Sequence, residues 1–250
     1  MSIKQTQIVA AILVTMATST SAYARSTNLV SNGDFEITSA GNGQLDYNTV
    51  VSDWTNSNAT VGGVTHEAYN FVYSAGTADT TGANGWNDNV GLWGTVYSSP
   101  NGGNVIGADA NYSYTGAFFQ TVSGLTAGTD YALSFDWAQG QQYGSSGDTT
   151  SGWNVTFGSE TWTTGTPALA SHSFADWTNF TQIFTATSNS QVLSFLATGS
   201  PGGRNPFALL DGVSVTEQAV PAAVPVPGAL PLMASGLIGL VGLRRRKNAK

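Results

Sequence analysis

No residue of the chain is cysteine. A disulfide framework is therefore excluded, and stability has to come from a packed core, with a bound ion as a second source. Positive charge is almost as scarce. Of eight basic residues, Lys4 lies near the start and Arg244, Arg245, Arg246, Lys247 and Lys250 crowd the end, whereas all fifteen acids fall between Asp34 and Glu217. Between residues 25 and 218 only Arg25 and Arg204 remain. Two bases against fifteen acids leave a net charge of −13, with histidine neutral. A surface of that sign repels phosphate backbones and anionic lipids, which argues against nucleic acid as a partner and leaves divalent cations and neutral polymers. Helical periodicity is missing as well: no stretch of 25–218 repeats apolar residues at helical spacing.

The apolar runs that bear on targeting lie at the two ends. Residues 8–17 are apolar apart from Thr15, follow Lys4, and precede Ala22-Tyr23-Ala24, the small-x-small pattern of signal-peptidase cleavage. The run is too short to cross about 30 Å of hydrocarbon. The pattern predicts a signal peptide over residues 1–24 and a mature chain beginning at Arg25. At the other end, residues 228–243 carry no charge and are followed by Arg244, Arg245, Arg246 and Lys247. That describes a short membrane helix with a cytoplasmic stop, near the lower length limit and oriented by its basic cluster. Residues 219–227 form a semi-rigid Pro/Ala linker between a domain over 25–218 and this segment at 228–250.

With Pro225, Val226 and Pro227 ahead of it, the run over 224–250 resembles the tripartite PEP-CTERM sorting signal of Gram-negative bacteria. The resemblance implies export through the inner membrane, transient residence there through 228–243, and an exosortase-type enzyme as partner. The implied destination is the cell surface or extracellular matrix. Val226 departs from the usual Pro-Glu-Pro, so which sorting enzyme handles the chain, and whether the segment is cleaved, stay open.

The middle reads as all-β. Tyr131, Leu133, Phe135 and Trp137 alternate with Ala132, Ser134 and Asp136, the period of two that gives a strand one buried face. Trp153, Val155 and Phe157 alternate in the same way. Residues 180–187 and 191–197 suggest a hairpin about Ser188-Asn189-Ser190, and Phe207, Leu209, Val213 and Val215 mark a last strand. Residues 118–122 lead into the turn Leu125-Thr126-Ala127-Gly128, and residues 28–36 read as an opening strand. From about 77 to 116 the chain is rich in Gly, Asn and Asp, the composition of a long functional loop. Many short strands with no helix between them predict a two-sheet sandwich. The opening Asn28-Leu29-Val30-Ser31-Asn32-Gly33-Asp34-Phe35-Glu36 and the closing Leu210-Asp211-Gly212-Val213-Ser214-Val215 resemble the galactose-binding-like jelly rolls, the fold of many carbohydrate-binding modules.

Asp211 shares parity with Phe207, Leu209, Val213 and Val215, which aims a carboxylate at an apolar face. Burial of an unpaired carboxylate is costly, so Asp211 needs a partner. The jelly-roll resemblance implies a structural Ca²⁺ between the first and last strands, with Glu36 and Asp211 as matching ligands, backbone carbonyls beside them and Asp34 as a weaker addition. A strand-end carboxylate in solvent, or one accepting backbone N–H bonds, is the open alternative.

For a ligand, the candidates are the loop aromatics Trp86, Trp93, Tyr112, Tyr114 and Tyr143, which sit among Gly and polar residues. Flat rings pack on the C–H faces of sugars while neighbouring amides and carboxylates bond the hydroxyls. Trp137, Trp153 and Trp177 are expected in the core. No catalytic residue is assigned: no Ser-centred elbow, zinc-type histidine spacing or phosphate loop occurs, and His66 and His172 read as surface histidines. The expected protein is a non-catalytic exported module that associates with exopolysaccharide or a surface glycan. A purely structural matrix protein without a glycan site, or a polysaccharide-degrading enzyme, are the alternatives.

Overall fold

Every described element is a strand. The computed structural model describes residues 27–61, 63–73, 84–85, 89–93, 98–111 and 113–218. The signal-peptide, linker and sorting-signal segments, and the expected ligand residues Trp86 and Tyr112, lie outside them. In chain order the strands are β1 (Gly43–Gln44), β2 (Thr55–Asn56), β3 (Asn58–Val61), β4 (Val64–Glu67), β5 (Asn70–Tyr73), β6 (Asn84–Gly85), β7 (Asn89–Val90) and β8 (Val105–Asp109). They continue with β9 (Phe118–Ser123), β10 (Asp130–Gln141), β11 (Thr149–Phe157), β12 (Glu160–Thr163), β13 (Ala168–Leu169), β14 (Ala175–Thr185), β15 (Ser190–Ser200) and β16 (Pro206–Glu217).

Twelve of these strands form two facing antiparallel sheets, while β3-β4 and β6-β7 are separate two-stranded pairs. The first runs β1-β5-β8-β16-β10-β14, and the second runs β12-β11-β15-β9-β2 with β13 on the flank of β11. From β8 onward the chain switches sheet at each long strand, leaving only the short β12 beside its predecessor β11. The eight strands β8 to β12 and β14 to β16 thereby take the orders β8-β16-β10-β14 and β9-β15-β11-β12. This is the double Greek key of a jelly roll.

Alternation places the core between the sheets. Tyr131, Leu133, Phe135 and Trp137 of β10 point inward against Trp153, Val155 and Phe157 of β11 and Leu193 and Phe195 of β15. Phe135 and Phe195 meet edge to face at 5.1 Å. Each fully buried ring of this size contributes roughly 1.5–3 kcal/mol. Trp153 closes the layer by donating its Nε1–H to Leu209 O at 2.9 Å, so the buried indole N–H has its partner. Trp137 and Trp153 are core residues as expected, and Trp177 packs on a second cluster outside the first sheet.

Three expected elements differ. The strands flanking residues 188–190 exist but do not pair: β14 lies beside β10 in the first sheet and β15 between β11 and β9 in the second. Both bury an inner face, Phe184 on one and Leu193 and Phe195 on the other, so the chain crosses the sandwich to set them opposite. Residues 28–36 form turns rather than a strand, with Asn32 (φ 48°) and Phe35 (φ 57°) in the left-handed region. They still run beside β16: Leu29 N–H donates to Val215 O and Val213 N–H to Gly33 O, at 2.8 and 2.9 Å. Gly33 permits this approach, since a Cβ there would meet the Val213 carbonyl. Within the Gly-rich region, β8 is a strand buried along its whole length. Ile106 and Ala108 enter the core, Val105 joins the second cluster, and the Tyr73 ring lies over Gly107. A strand covered on both faces shows no polar alternation, which hid it.

Candidate functional site

Gln141, the last residue of β10, is fully buried at one end of the sandwich. A buried amide must satisfy its hydrogen-bonding groups. Its Nε2 donates to Gly147 O at 2.9 Å and Arg204 O at 3.0 Å, and its Oε1 accepts the N–H of His172 at 2.8 Å. One side chain thus ties together three loops, residues 142–148, 170–174 and 201–205. A fourth segment joins them: Trp93 N–H donates to Gln141 O at 2.8 Å and Tyr143 N–H to Gly91 O at 2.7 Å.

These ties gather three rings. The Trp93 centroid lies 4.3 Å from that of Tyr143 and 4.1 Å from that of His172. Trp93 Nε1 donates to Ser145 O at 2.7 Å, and the Ser146 hydroxyl bonds His172 Nε2 at 2.9 Å. Trp93 and Tyr143 are half-buried and His172 is exposed, so the cluster is anchored from behind and open in front. His172 adopts φ 61°, a left-handed conformation that costs an L-residue roughly 1–2 kcal/mol. The bond from its N–H to Gln141 offsets part of that cost. Ring edges beside serine hydroxyls and amide groups can take a ligand with both C–H faces and hydroxyls.

The expected aromatic set is therefore split. Trp93 and Tyr143, fifty residues apart, come together. Tyr114 instead stacks on Tyr69 (centroids 4.6 Å apart, planes 8° apart) on the flank of β5, with β8 and β16 between β5 and β10. His172, read from sequence as a surface histidine, is exposed but belongs to the ring cluster. Nothing beside it in sequence signals this, because its partner Trp93 is distant and the link runs through Gln141. His66 is exposed on β4.

The carboxylate expectation is corrected in its geometry. Phe207 and Leu209 face outward into the second cluster, whereas Val213 and Val215 face the core. The reversal occurs at a bulge: Ser214 pairs with Ser134 and Asp211 with Asp136, so Gly212 and Val213 together face Phe135. Gly212 takes φ 60° there. Asp211 thus shares parity with Phe207 and Leu209 but not with Val213 and Val215. It is nonetheless fully buried. Its Oδ1 accepts Gly212 N–H at 2.6 Å, while its buried Oδ2 has no hydrogen-bond partner among the described residues. Burial raises its pKa to about 7; the Ser99 hydroxyl and Gly212 N–H oppose this, and the Asp136 and Glu36 charges add to it. Glu36 lies close by, its Oε1 accepting the Asn104 N–H. No three His, Asp or Glu side chains of the described residues converge as a ready-made metal cage. The buried Oδ2 of Asp211, which feels the charges of Asp136 and Glu36, would be satisfied by a hard cation, and such an ion would draw most of its oxygens from backbone and amide groups.

A second buried carboxylate closes β8. Asp109 is 2% exposed, accepts the N–H of Asn111 at 2.8 Å, and is pushed up to about 7 by burial.

No family model and no curated protein matches this chain. Solved structures similar to it include TmCBM61 in complex with beta-1,4-galactotriose, at 14% identity and TM-score 0.41, covering 77% of this chain and all of that one. The CBM22-1 xylan-binding domain of Paenibacillus barcinonensis Xyn10C is 13% identical with TM-score 0.39, covering 80% of this chain and 100% of that one. The enzymatically active domain of tailspike protein 4 from bacteriophage CBA120 is 13% identical with TM-score 0.40, over 76% of this chain and 21% of that one. Carbohydrate-binding-module jelly rolls are thus among the neighbours. All three scores fall below 0.5, too loose a likeness to carry ligand chemistry across.

Proposed function

We propose that this chain is a non-catalytic module that binds glycan at the cell surface or in the extracellular matrix, through the Trp93, Tyr143 and His172 cluster. The observation that carries the reading is the way one buried amide, Gln141, anchors loops distant in sequence so that three rings meet at an open end of the sandwich. Pre-organised rings cost little entropy to occupy, and sugar C–H faces pack on them. Export and sorting belong to the same proposal: the signal peptide over 1–24, and Pro225, Val226, Pro227 and the Arg244, Arg245, Arg246 cluster, support delivery by an exosortase-type enzyme. Calcium belongs to it as well. Asp211 and Glu36 would hold a structural Ca²⁺, supplying positive charge where buried and neighbouring carboxylates gather.

The test is a glycan array probed with the full-length protein in Ca²⁺ and again in EDTA. Retention on at least one polysaccharide is expected. No retention under either condition refutes the binding reading and favours a matrix protein without a glycan site.

A further inference from the structure

Arg204 is the only lysine or arginine between residues 26 and 218, a stretch that holds all fifteen acids. The usual fate of a lone cation in such surroundings is an ion pair. Arg204 makes none with a carboxylate of the described residues. Its Nη1 donates to the backbone oxygen of Asp148 at 3.0 Å, and the guanidinium lies over Gly147, where a Cβ would stand 2.7 Å from its Cζ. The Asp148 carboxylate is engaged elsewhere, its Oδ1 accepting the N–H of Ser171 at 3.0 Å. Gly147 at φ 102° therefore serves two ends. It permits the turn, and its bare backbone gives the planar guanidinium a seat.

The same loop carries the rings. Ser145 O receives Trp93 Nε1, Ser146 bonds His172, and Gly147 and Asp148 hold Arg204. Four consecutive residues span at most roughly 11 Å at 3.8 Å per step, so cation and rings lie within reach of one short oligosaccharide. A guanidinium seated flat, exposed and unpaired with any carboxylate of the described residues presents a fork that matches a carboxylate in two parallel bonds. Asp148 is the one acid of this loop and its carboxylate is bonded to the Ser171 N–H, while acids more than about 8 Å away are largely screened at physiological ionic strength.

We infer that the ring cluster takes a glycan bearing a uronate sugar, its carboxylate on Arg204 and its C–H face on the rings. The inference rests on the glycan-binding reading above and names the sugar class for that same site. It also narrows the expectation of neutral polymers drawn from net charge, since Arg204 sets a cation on a loop whose one acid is Asp148.

Affinity electrophoresis of the full-length protein tests it, in gels containing polygalacturonate, dextran sulfate or neutral galactan. Polygalacturonate should retard the protein most. Arg204→Gln should weaken that retardation about fivefold, the scale of one exposed charge pair, and leave any retardation by galactan unchanged. Arg204→Lys, with charge but no fork, should fall between. Galactan binding as strong as polygalacturonate binding, or an Arg204→Gln protein that keeps the acidic preference, overturns the inference while the glycan reading stands. Dextran sulfate binding as strong as polygalacturonate binding, with the same loss on Arg204→Gln, overturns the carboxylate in favour of any anion. No retardation in any gel sinks the glycan reading, and this inference with it.

Discussion

Asp109→Asn is expected to stabilise the domain at alkaline pH and to leave it unchanged in acid. Asp109 is 2% exposed, and burial lifts its pKa from 3.8 to about 7. Between those two values the folded state binds a proton that the unfolded state has already released. Stability is therefore lost as pH rises through that window, at about 1.4 kcal/mol per pH unit. Over roughly three units the loss approaches 4 kcal/mol, and above pH 7 this group adds no more. Asparagine keeps an oxygen for the Asn111 N–H, bonded at 2.8 Å, and carries no charge to desolvate. For a domain of this size each kcal/mol moves Tm by about 2–4 °C, so the variant should melt on the order of 10 °C higher than wild type at pH 8 and equally at pH 4. Thermal melts of both proteins from pH 4 to 8 in EDTA read this directly. Parallel pH profiles, with no excess stability at pH 8, would refute the assignment of the cost to Asp109.

Two more outcomes follow from the bulge and the carboxylates around it. Gly212→Ala should destabilise by about 1–3 kcal/mol in denaturant melts, because φ 60° disfavours a side chain and the new Cβ would run into the Asn101 amide. Calcium at a hundred times its Kd should raise stability by about 2.7 kcal/mol, and Glu36→Gln should reduce that gain. A Tm indifferent to Ca²⁺ and EDTA would remove the ion from the account.

Much of the fold was legible because its signals are local. The alternation of Tyr131 to Trp137 and of Trp153 to Phe157 survives intact in β10 and β11, since both strands bury one face. What failed was non-local or compensated. The apparent hairpin about residues 188–190 misled because a short turn between two apolar strands reads alike whether they pair or face each other. The parity of Asp211 broke at a bulge that only the register with β10 reveals. Strand β8 escaped because it is covered on both faces, so its buried Gly107 and Asp109 neither continue an apolar run nor mark an exposed face. Within the site, Trp93 and Tyr143 were found as rings stranded among polar residues. His172 and Gln141 were not, because their roles exist only where the loops meet.

The central claim is that Trp93 belongs to a sugar-binding surface rather than to loop packing alone. Trp93→Ala measured against wild type by affinity electrophoresis, on whichever polysaccharide of the array retains the wild-type protein, tests it most directly. A binding surface predicts loss of about 1–3 kcal/mol of affinity, roughly fivefold to 150-fold, with the ring removed and Tm largely kept, since Trp93 is only half-buried. Unchanged retention on that polysaccharide would contradict it.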